Sequence, residues 1–72
     1  MLVVVELNAS ELVKGDIVVI PNTNTRQGIF IESDSKWAYF NEIGKEHLPP
    51  QYYNLGYHFR IVDPVAYVKN RL

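Results

Sequence analysis

The chain has 72 residues, of which 47% are hydrophobic and 21% charged, a profile typical of one small globular domain. It contains no cysteine, which excludes a disulfide framework and a thiolate zinc site, and its formal net charge of −1 excludes a strong overall field toward phosphate backbones or anionic membranes. We therefore predict a single domain over residues 1–72, in a reducing, cytoplasmic setting and without a membrane partner.

The N-terminal part is predicted to form two short strands. Consecutive β-branched valines favour an extended backbone over residues 2–7, and a second apolar run covers residues 17–20. Between them, Gly15 offers the positive φ that a tight turn often requires. The opening segment MLVVVEL is too short for a signal peptide or a membrane span. Its strand also offers an edge for pairing with a second copy, which leaves a homo-oligomer open.

The alternating segment GIFIESDSKWAYF, residues 28–40, predicts a hairpin joined by the polar residues 33–36. A two- or four-residue connection places Phe30 opposite Tyr39, and alternation then separates the side chains into two faces. The predicted core face consists of Ile29, Ile31, Ala38 and Phe40. The predicted partly exposed face consists of Phe30, Trp37, Tyr39 and Glu32. A three-residue loop with a bulge would change this parity.

The C-terminal part is predicted to be irregular before regular structure resumes. Paired prolines and two glycines interrupt residues 42–56, where we expect a 3₁₀ turn near residues 48–53. Residues 57–62 have strand character. Asp63-Pro64 is a helix-start signal, which predicts a short C-terminal helix or turn. Five short strands with turns between them, in a chain too short for a sandwich, predict an all-β fold with the architecture of a small closed barrel.

Several motifs resemble those of small-barrel families. The stretch ELVKGDIVVI looks like the acidic-Leu-x-x-x-Gly-Asp stretch of the Src-homology-3 class, and Lys36-Trp37 resembles the start of its tryptophan strand. GKEHLPPQYY is similar to its Gly-x-x-Gly-x-x-Pro-x-x-Tyr segment, with Pro49 and Tyr52 at the Pro and Tyr positions. KGDIVVI followed by RQGIFI resembles the KOW group of the same superfold, which is common in transcription and translation proteins. These resemblances imply a five-stranded Src-homology-3-like barrel more than any one function.

The predicted function is a non-catalytic module that binds a protein partner through an aromatic surface. Aromatic side chains supply much contact area at small entropic cost and dominate binding hot spots. The predicted partner-binding residues are Phe30, Glu32, Lys36, Trp37, Tyr39, Tyr52, Tyr53 and Tyr57. A small inhibitor of a host enzyme would use the same surface, and the sequence does not separate the two.

The segment PPQY, residues 49–52, also matches the Pro-Pro-x-Tyr ligand of WW domains. Such ligands normally lie in flexible tails, whereas this segment lies between predicted strands. We therefore expect a structural turn with Tyr52 packed against the domain.

Catalytic and metal chemistry are not predicted. His47 and His58 lack metal-ligand spacing and a third ligand, and no nucleophile or tuned carboxylate is evident in a predicted pocket. The carboxylates Asp34, Glu42 and Glu46 are interpreted as solvated loop charges. We predict no enzyme activity, no cofactor and no metal.

Nucleic-acid binding is the alternative function. Basic side chains that flank Trp37 and Tyr39 would combine phosphate neutralisation with base stacking. The residues assigned to this alternative are Arg26, Lys36, Arg60, Lys69 and Arg71. Sequence order does not show whether they cluster.

Overall fold

The computed structural model describes residues 4–72, which form two antiparallel sheets and one short helix. The strands within this range are β1 (Glu6–Leu7), β2 (Ile17–Val19), β3 (Gln27–Ser33), β4 (Trp37–Glu42), β5 (Gln51–Asn54) and β6 (Phe59–Arg60). A 3₁₀ turn, Ala9–Glu11, follows β1, and the helix α1 covers Pro64–Lys69. Strand β1 pairs with β6, and the larger sheet has the order β2-β3-β4-β5. The predicted β-rich class and C-terminal helix are confirmed.

The two sheets meet along β2 and β6. Val18 forms an isolated bridge with Ile61, and the N–H of Val62 donates to the carbonyl of Ile17 at 3.1 Å. Within residues 4–72 these contacts do not close a barrel, so the predicted closed architecture is not seen there. The beginning of the first predicted strand, at residues 2 and 3, lies outside the described residues.

Strand β5 occupies much of the segment predicted as a 3₁₀ turn near residues 48–53, and that prediction is wrong. The prolines end the irregular segment at Pro50, and the next four residues pair with β4. The N–H of Leu55 donates to the carbonyl of Lys36 at 3.2 Å. Because hydrogen-bonded pairs alternate along an antiparallel ladder, the N–H and carbonyl of Tyr52 point away from β4. Strand β5 is therefore an edge of the larger sheet.

The register of the β3–β4 hairpin differs from the predicted one. Phe30 lies opposite Phe40, whereas Glu32 lies opposite Tyr39, so the register shifts by one residue at Ile31. This extra residue reverses the parity of the first half of β3. Phe30 is consequently buried, at 5% exposure, and Ile29 is only half-buried. The prediction that Phe30 is exposed and Ile29 is core is wrong, because it assumed an uninterrupted ladder.

The core lies on the inner face of the larger sheet and against β6. The ring of Phe40 is fully buried, and its centroid lies 5.0 Å from that of Phe59 and 5.5 Å from that of Phe30. The other members of the buried cluster are Leu7, Ala9, Leu12, Val18, Ala38 and Ile61. A Cβ at Gly28 would lie 2.6 Å from Cδ1 of Ile20, so a larger residue there would force the buried Ile20 side chain to shift.

A buried carboxylate ties the C-terminus to the start of β2. Asp16 is 2% exposed and accepts bonds from both terminal nitrogens of Arg71, at 2.9 and 2.7 Å. Asn70 Nδ2 and the N–H of Val13 also donate to Asp16, at 2.9 and 2.8 Å. The guanidinium of Arg71 lies 3.6 Å from the ring centroid of Tyr67. Since α1 itself has no buried residue, this hub is a main attachment of the helix.

Two local features follow the sequence signals that predicted them. Gly15 has a φ of 96°, which supplies the turn before β2. Asp63 caps α1 by accepting from the N–H of Val65 at 2.9 Å, with Pro64 in the first helical turn. Neither helical segment in residues 4–72 is long and apolar enough to cross a membrane.

We expect Arg71→Met to lower the free energy of unfolding by about 3 kcal/mol, because it leaves the buried carboxylate of Asp16 without its cation. Urea denaturation monitored by circular dichroism measures the loss. Adding Asp16→Asn to this variant should recover part of the stability, since the unpaired charge is then removed. Lys69→Met, which removes a helix charge outside the hub, should change stability by less than about 0.5 kcal/mol. Equal stability of Arg71→Met and the unchanged chain would show that the hub does not hold the helix.

Candidate functional site

Three rings lie together on the outer face of the larger sheet. On β4, Trp37 and Tyr39 alternate with the buried residues Ala38 and Phe40 and are themselves half-buried. Tyr52 lies opposite Tyr39 on β5 and is 59% exposed. We call Trp37, Tyr39 and Tyr52 the aromatic face.

The rings of the aromatic face support one another. The centroid of Tyr52 lies 5.2 Å from that of Trp37 at an interplanar angle of 76°, an edge-to-face arrangement. It lies 6.2 Å from that of Tyr39 at 47°. The three outer rings therefore hold one another in place. The interior is filled separately, by the buried cluster around Phe40 on the inner face.

The carboxylate of Asp34 organises the hairpin turn beside the aromatic face. It accepts from the N–H groups of Lys36 and Trp37, at 2.8 and 2.7 Å, and from the hydroxyl of Tyr39 at 2.8 Å. These hydrogen bonds hold the pKa of Asp34 below its usual range, the bond from Lys36 first and that from Trp37 second. Donation to Asp34 also raises the pKa of Tyr39. A hairpin joins β3 and β4 as predicted, but Ser33 belongs to β3 instead of the connection, and Asp34 accepts the hydrogen bond that holds the Tyr39 hydroxyl.

Charged groups border the aromatic face. The ammonium of Lys36 lies 5.5 Å from the ring centroid of Trp37, within the range of a cation–π contact. Glu32, opposite Tyr39 in the register, is exposed on the same side of the sheet. Five of the eight predicted partner-binding residues are thus brought together: Glu32, Lys36, Trp37, Tyr39 and Tyr52.

The other three predicted partner-binding residues lie elsewhere. Phe30 belongs to the core because of the register shift at Ile31. Tyr53 points to the inner face, opposite Ala38, and its ring centroid lies 6.1 Å from that of Phe40. Tyr57 packs edge-on against Tyr53 at 6.1 Å. Phe30 and Tyr53 therefore do not belong to the predicted outer surface, and Tyr57, although 40% exposed, lies apart from the aromatic face.

The Pro-Pro-Gln-Tyr segment is not packed as expected. Pro49 and Pro50 are exposed, and Tyr52, which contacts Trp37 on the outer face, is itself 59% exposed. Since Gln51 and Tyr52 belong to β5, the second half of this motif is committed to the sheet.

The basic residues assigned to nucleic-acid binding do not share one environment. Arg26 forms an ion pair with Glu42, and Arg71 binds Asp16. Arg60 lies opposite Glu6 across β1 and β6, and Lys69 is in the last turn of α1. Of this set, Lys36 is the residue recorded in contact with the aromatic face.

Glu42 was predicted to be a solvated loop charge, and this interpretation is wrong. It ends β4 on the inner side and is 8% exposed. Arg26 Nε and Gln51 Nε2 donate to it at 3.0 and 2.7 Å, and the hydroxyl of Tyr53 donates to Gln51 at 2.8 Å. The hydrogen bond from Arg26, followed by that from Gln51, lowers the pKa of Glu42 to about 2. The inward parity of positions 38, 40 and 42 was the signal available in the sequence.

Other chemically capable groups offer no assembled reaction centre in the part of the chain that the structure describes. His47 and His58 are exposed, and residues 4–72 contain no group of three or more His, Cys, Asp or Glu side chains that could hold a metal. A mostly apolar cavity of about 260 Å³ lies beside α1, and Ile17, Ile61 and Tyr67 line it. Asp16 also borders this cavity, but its carboxylate is committed to Arg71 and Asn70.

Comparison with protein-family models, curated proteins and solved structures finds no match to this chain.

We expect Trp37→Ala to cost about 1–2 kcal/mol of stability, because a half-buried ring is lost from the outer face. Phe30→Ala should cost about 3–5 kcal/mol, because it opens a cavity in the core. Urea denaturation followed by far-ultraviolet circular dichroism compares the two without relying on tryptophan fluorescence. If both variants lose the same stability, the aromatic face is part of the core and is not a separate surface.

We expect the fold to lose stability as the pH falls from the ordinary Glu42 pKa of 4.5 toward about 2. A carboxylate whose folded-state pKa is depressed stabilises the fold above its unfolded pKa, and protonation removes this contribution at lower pH. Urea midpoints measured across this range test the expectation. Glu42→Gln and Arg26→Gln should each flatten the dependence, the first by removing the titrating group and the second by returning its pKa toward the ordinary value. An unchanged slope in both variants would contradict it.

Proposed function

We propose that this protein is a non-catalytic interaction module that binds a protein partner by burying the aromatic face. The rings of Trp37 and Tyr52 form the centre of the contact, with Tyr39 beside them and Glu32 at the rim. Burial of such rings gives large contact area with few rotatable bonds. The lack of cysteine supports a cytoplasmic setting for this interaction.

One observation carries the proposal: the larger sheet has aromatic clusters on both faces, and the inner cluster suffices for the core. Phe40 and Phe59 are fully buried, whereas Tyr52 on the outer side is 59% exposed. Mutually ordered rings that stay partly exposed on the side of the sheet away from the core are typical of recognition surfaces. A non-catalytic role is supported by the full pairing of the buried carboxylates Asp16 and Glu42.

We also propose that the fold is a partly open relative of the Src-homology-3-like barrel. The bridge between Val18 and Ile61 and the bond from Val62 to Ile17 bring the two sheets side by side, which supports this relation. In another small barrel, the OB-fold, a sheet face and the adjoining loops bind the ligand.

A displayed peptide library tests the proposed function. Peptides are selected on the unchanged protein alone, and each selected peptide is then measured on the variants Trp37→Ala and Tyr52→Ala. Because Trp37 is the single tryptophan of the chain, its fluorescence reports directly on burial of the face. Each single substitution should lower the affinity for the selected peptides by about tenfold or more. The affinity of the Tyr52→Ala variant is measured by Trp37 fluorescence, and that of the Trp37→Ala variant by calorimetry.

The matched control is Val65→Ser on α1, whose side chain is 62% exposed and remote in sequence from the face. It should leave the affinity unchanged. Peptides that respond to Val65→Ser but to neither ring substitution would refute the aromatic face as the binding surface. A labelled single-stranded oligonucleotide is titrated in parallel, and binding that depends on Trp37 and falls steeply with salt would favour the nucleic-acid alternative instead.

A further inference from the structure

We propose that the aromatic face recognises an arginine side chain presented by the partner protein, an inference that rests on the proposed function and names its ligand chemistry. The first observation is that the protein already places a cation there. The ammonium of Lys36 lies 5.5 Å from the ring centroid of Trp37. The face of an indole ring attracts cations through its quadrupole, so the position of Lys36 marks where an external cation gains the same attraction.

The second observation is that Lys36 is held weakly. In residues 4–72 the ion pairs join Arg26 and Lys45 to Glu42 and Arg71 to Asp16, and the Lys36 ammonium forms none. The nearby carboxylate of Asp34 is occupied by two N–H groups and the Tyr39 hydroxyl. Lys36 therefore rests on the ring through an exposed cation–π contact, which a better-placed cation can displace.

The third observation is the charge beside the rings. Glu32 lies opposite Tyr39, and Asp34 accepts a hydrogen bond from the Tyr39 hydroxyl. The aromatic face is thus bordered by two negative carboxylates and by one positive ammonium, that of Lys36. This negative border attracts a cation and repels the phosphates of a nucleic acid.

Arginine fits this combination better than other side chains. Its planar guanidinium stacks on an aromatic ring and at the same time donates to a carboxylate such as Glu32, with several N–H groups in one plane. A proline or an aliphatic residue would use the rings but not the carboxylates. The geometry thus favours a partner segment with an exposed arginine next to uncharged residues.

The test uses the amidated, acetylated peptide Gly-Gly-Arg-Gly-Gly and the same peptide with neutral citrulline in place of arginine. Trp37 fluorescence and amide chemical shifts of the whole protein are followed during titration. The arginine peptide should shift the signals of residues 32–39 and 52, and the citrulline peptide should bind at least about threefold more weakly.

Lys36→Gln gives the sharper outcome. It removes the competing internal cation and should tighten binding of the arginine peptide by about two- to fivefold. Lys69→Gln changes the net charge equally, away from the face, and should leave the affinity unchanged. Weaker binding after Lys36→Gln, or equal binding of the two peptides, overturns the inference. Library peptides that depend on Trp37 but carry no arginine would overturn it too, while leaving the proposed function intact.

Discussion

The pairing of Phe30 with Phe40 across β3 and β4 decides which side of the larger sheet is core. It depends on the register shift at Ile31, which adds one residue to β3 and turns Phe30 inward. The inner side thereby gains an aromatic ring that packs on Phe40 and, through it, on Phe59. With the interior filled from this side, the rings on the other side of β4 are available for another task.

The two buried carboxylates connect distant parts of a short chain. Asp16 joins the turn before β2 to the residues after α1, and Glu42 joins the end of β4 to the loop before β3 and the start of β5. Each has a cationic partner and further hydrogen bonds, which is the condition under which a buried charge is tolerated. In a domain without cysteine, such polar hubs orient segments that the small core contacts only slightly.

Alternation on β4 was sufficient to predict the faces of Trp37, Ala38, Tyr39 and Phe40, and the Asp63-Pro64 signal was sufficient to predict α1. Local patterns act over a few residues, and both features are local. The bulge at Ile31 is not a local feature, because the extra residue is stabilised by packing across the hairpin. The alternation of apolar and polar residues along β3 does not reveal it.

The other differences between the predicted and the observed structure also come from contacts between residues that are far apart in the sequence. Paired prolines obscured the four-residue strand β5, whose partner lies on β4 rather than in its own segment. Arg71 was grouped with nucleic-acid contacts because its carboxylate partner is 55 residues away. Of the candidate site, composition and alternation found Trp37, Tyr39 and Tyr52, whereas the exclusion of Phe30, Tyr53 and Tyr57 required the pairing of strands.

The open side of β5 bears on how the protein behaves at high concentration. Unpaired strand edges invite other chains to add on, which leads to fibres. Here Pro50, just before the strand, has no N–H to offer, and the carbonyl of Asn54 is engaged by the N–H of Tyr57 at 3.1 Å. The outward-facing backbone groups of β5 that remain are the N–H and carbonyl of Tyr52 and the N–H of Asn54, with the carbonyl of Pro50 just before the strand. The exposed edge beside the aromatic face is therefore short, which limits the backbone that it offers to a second chain.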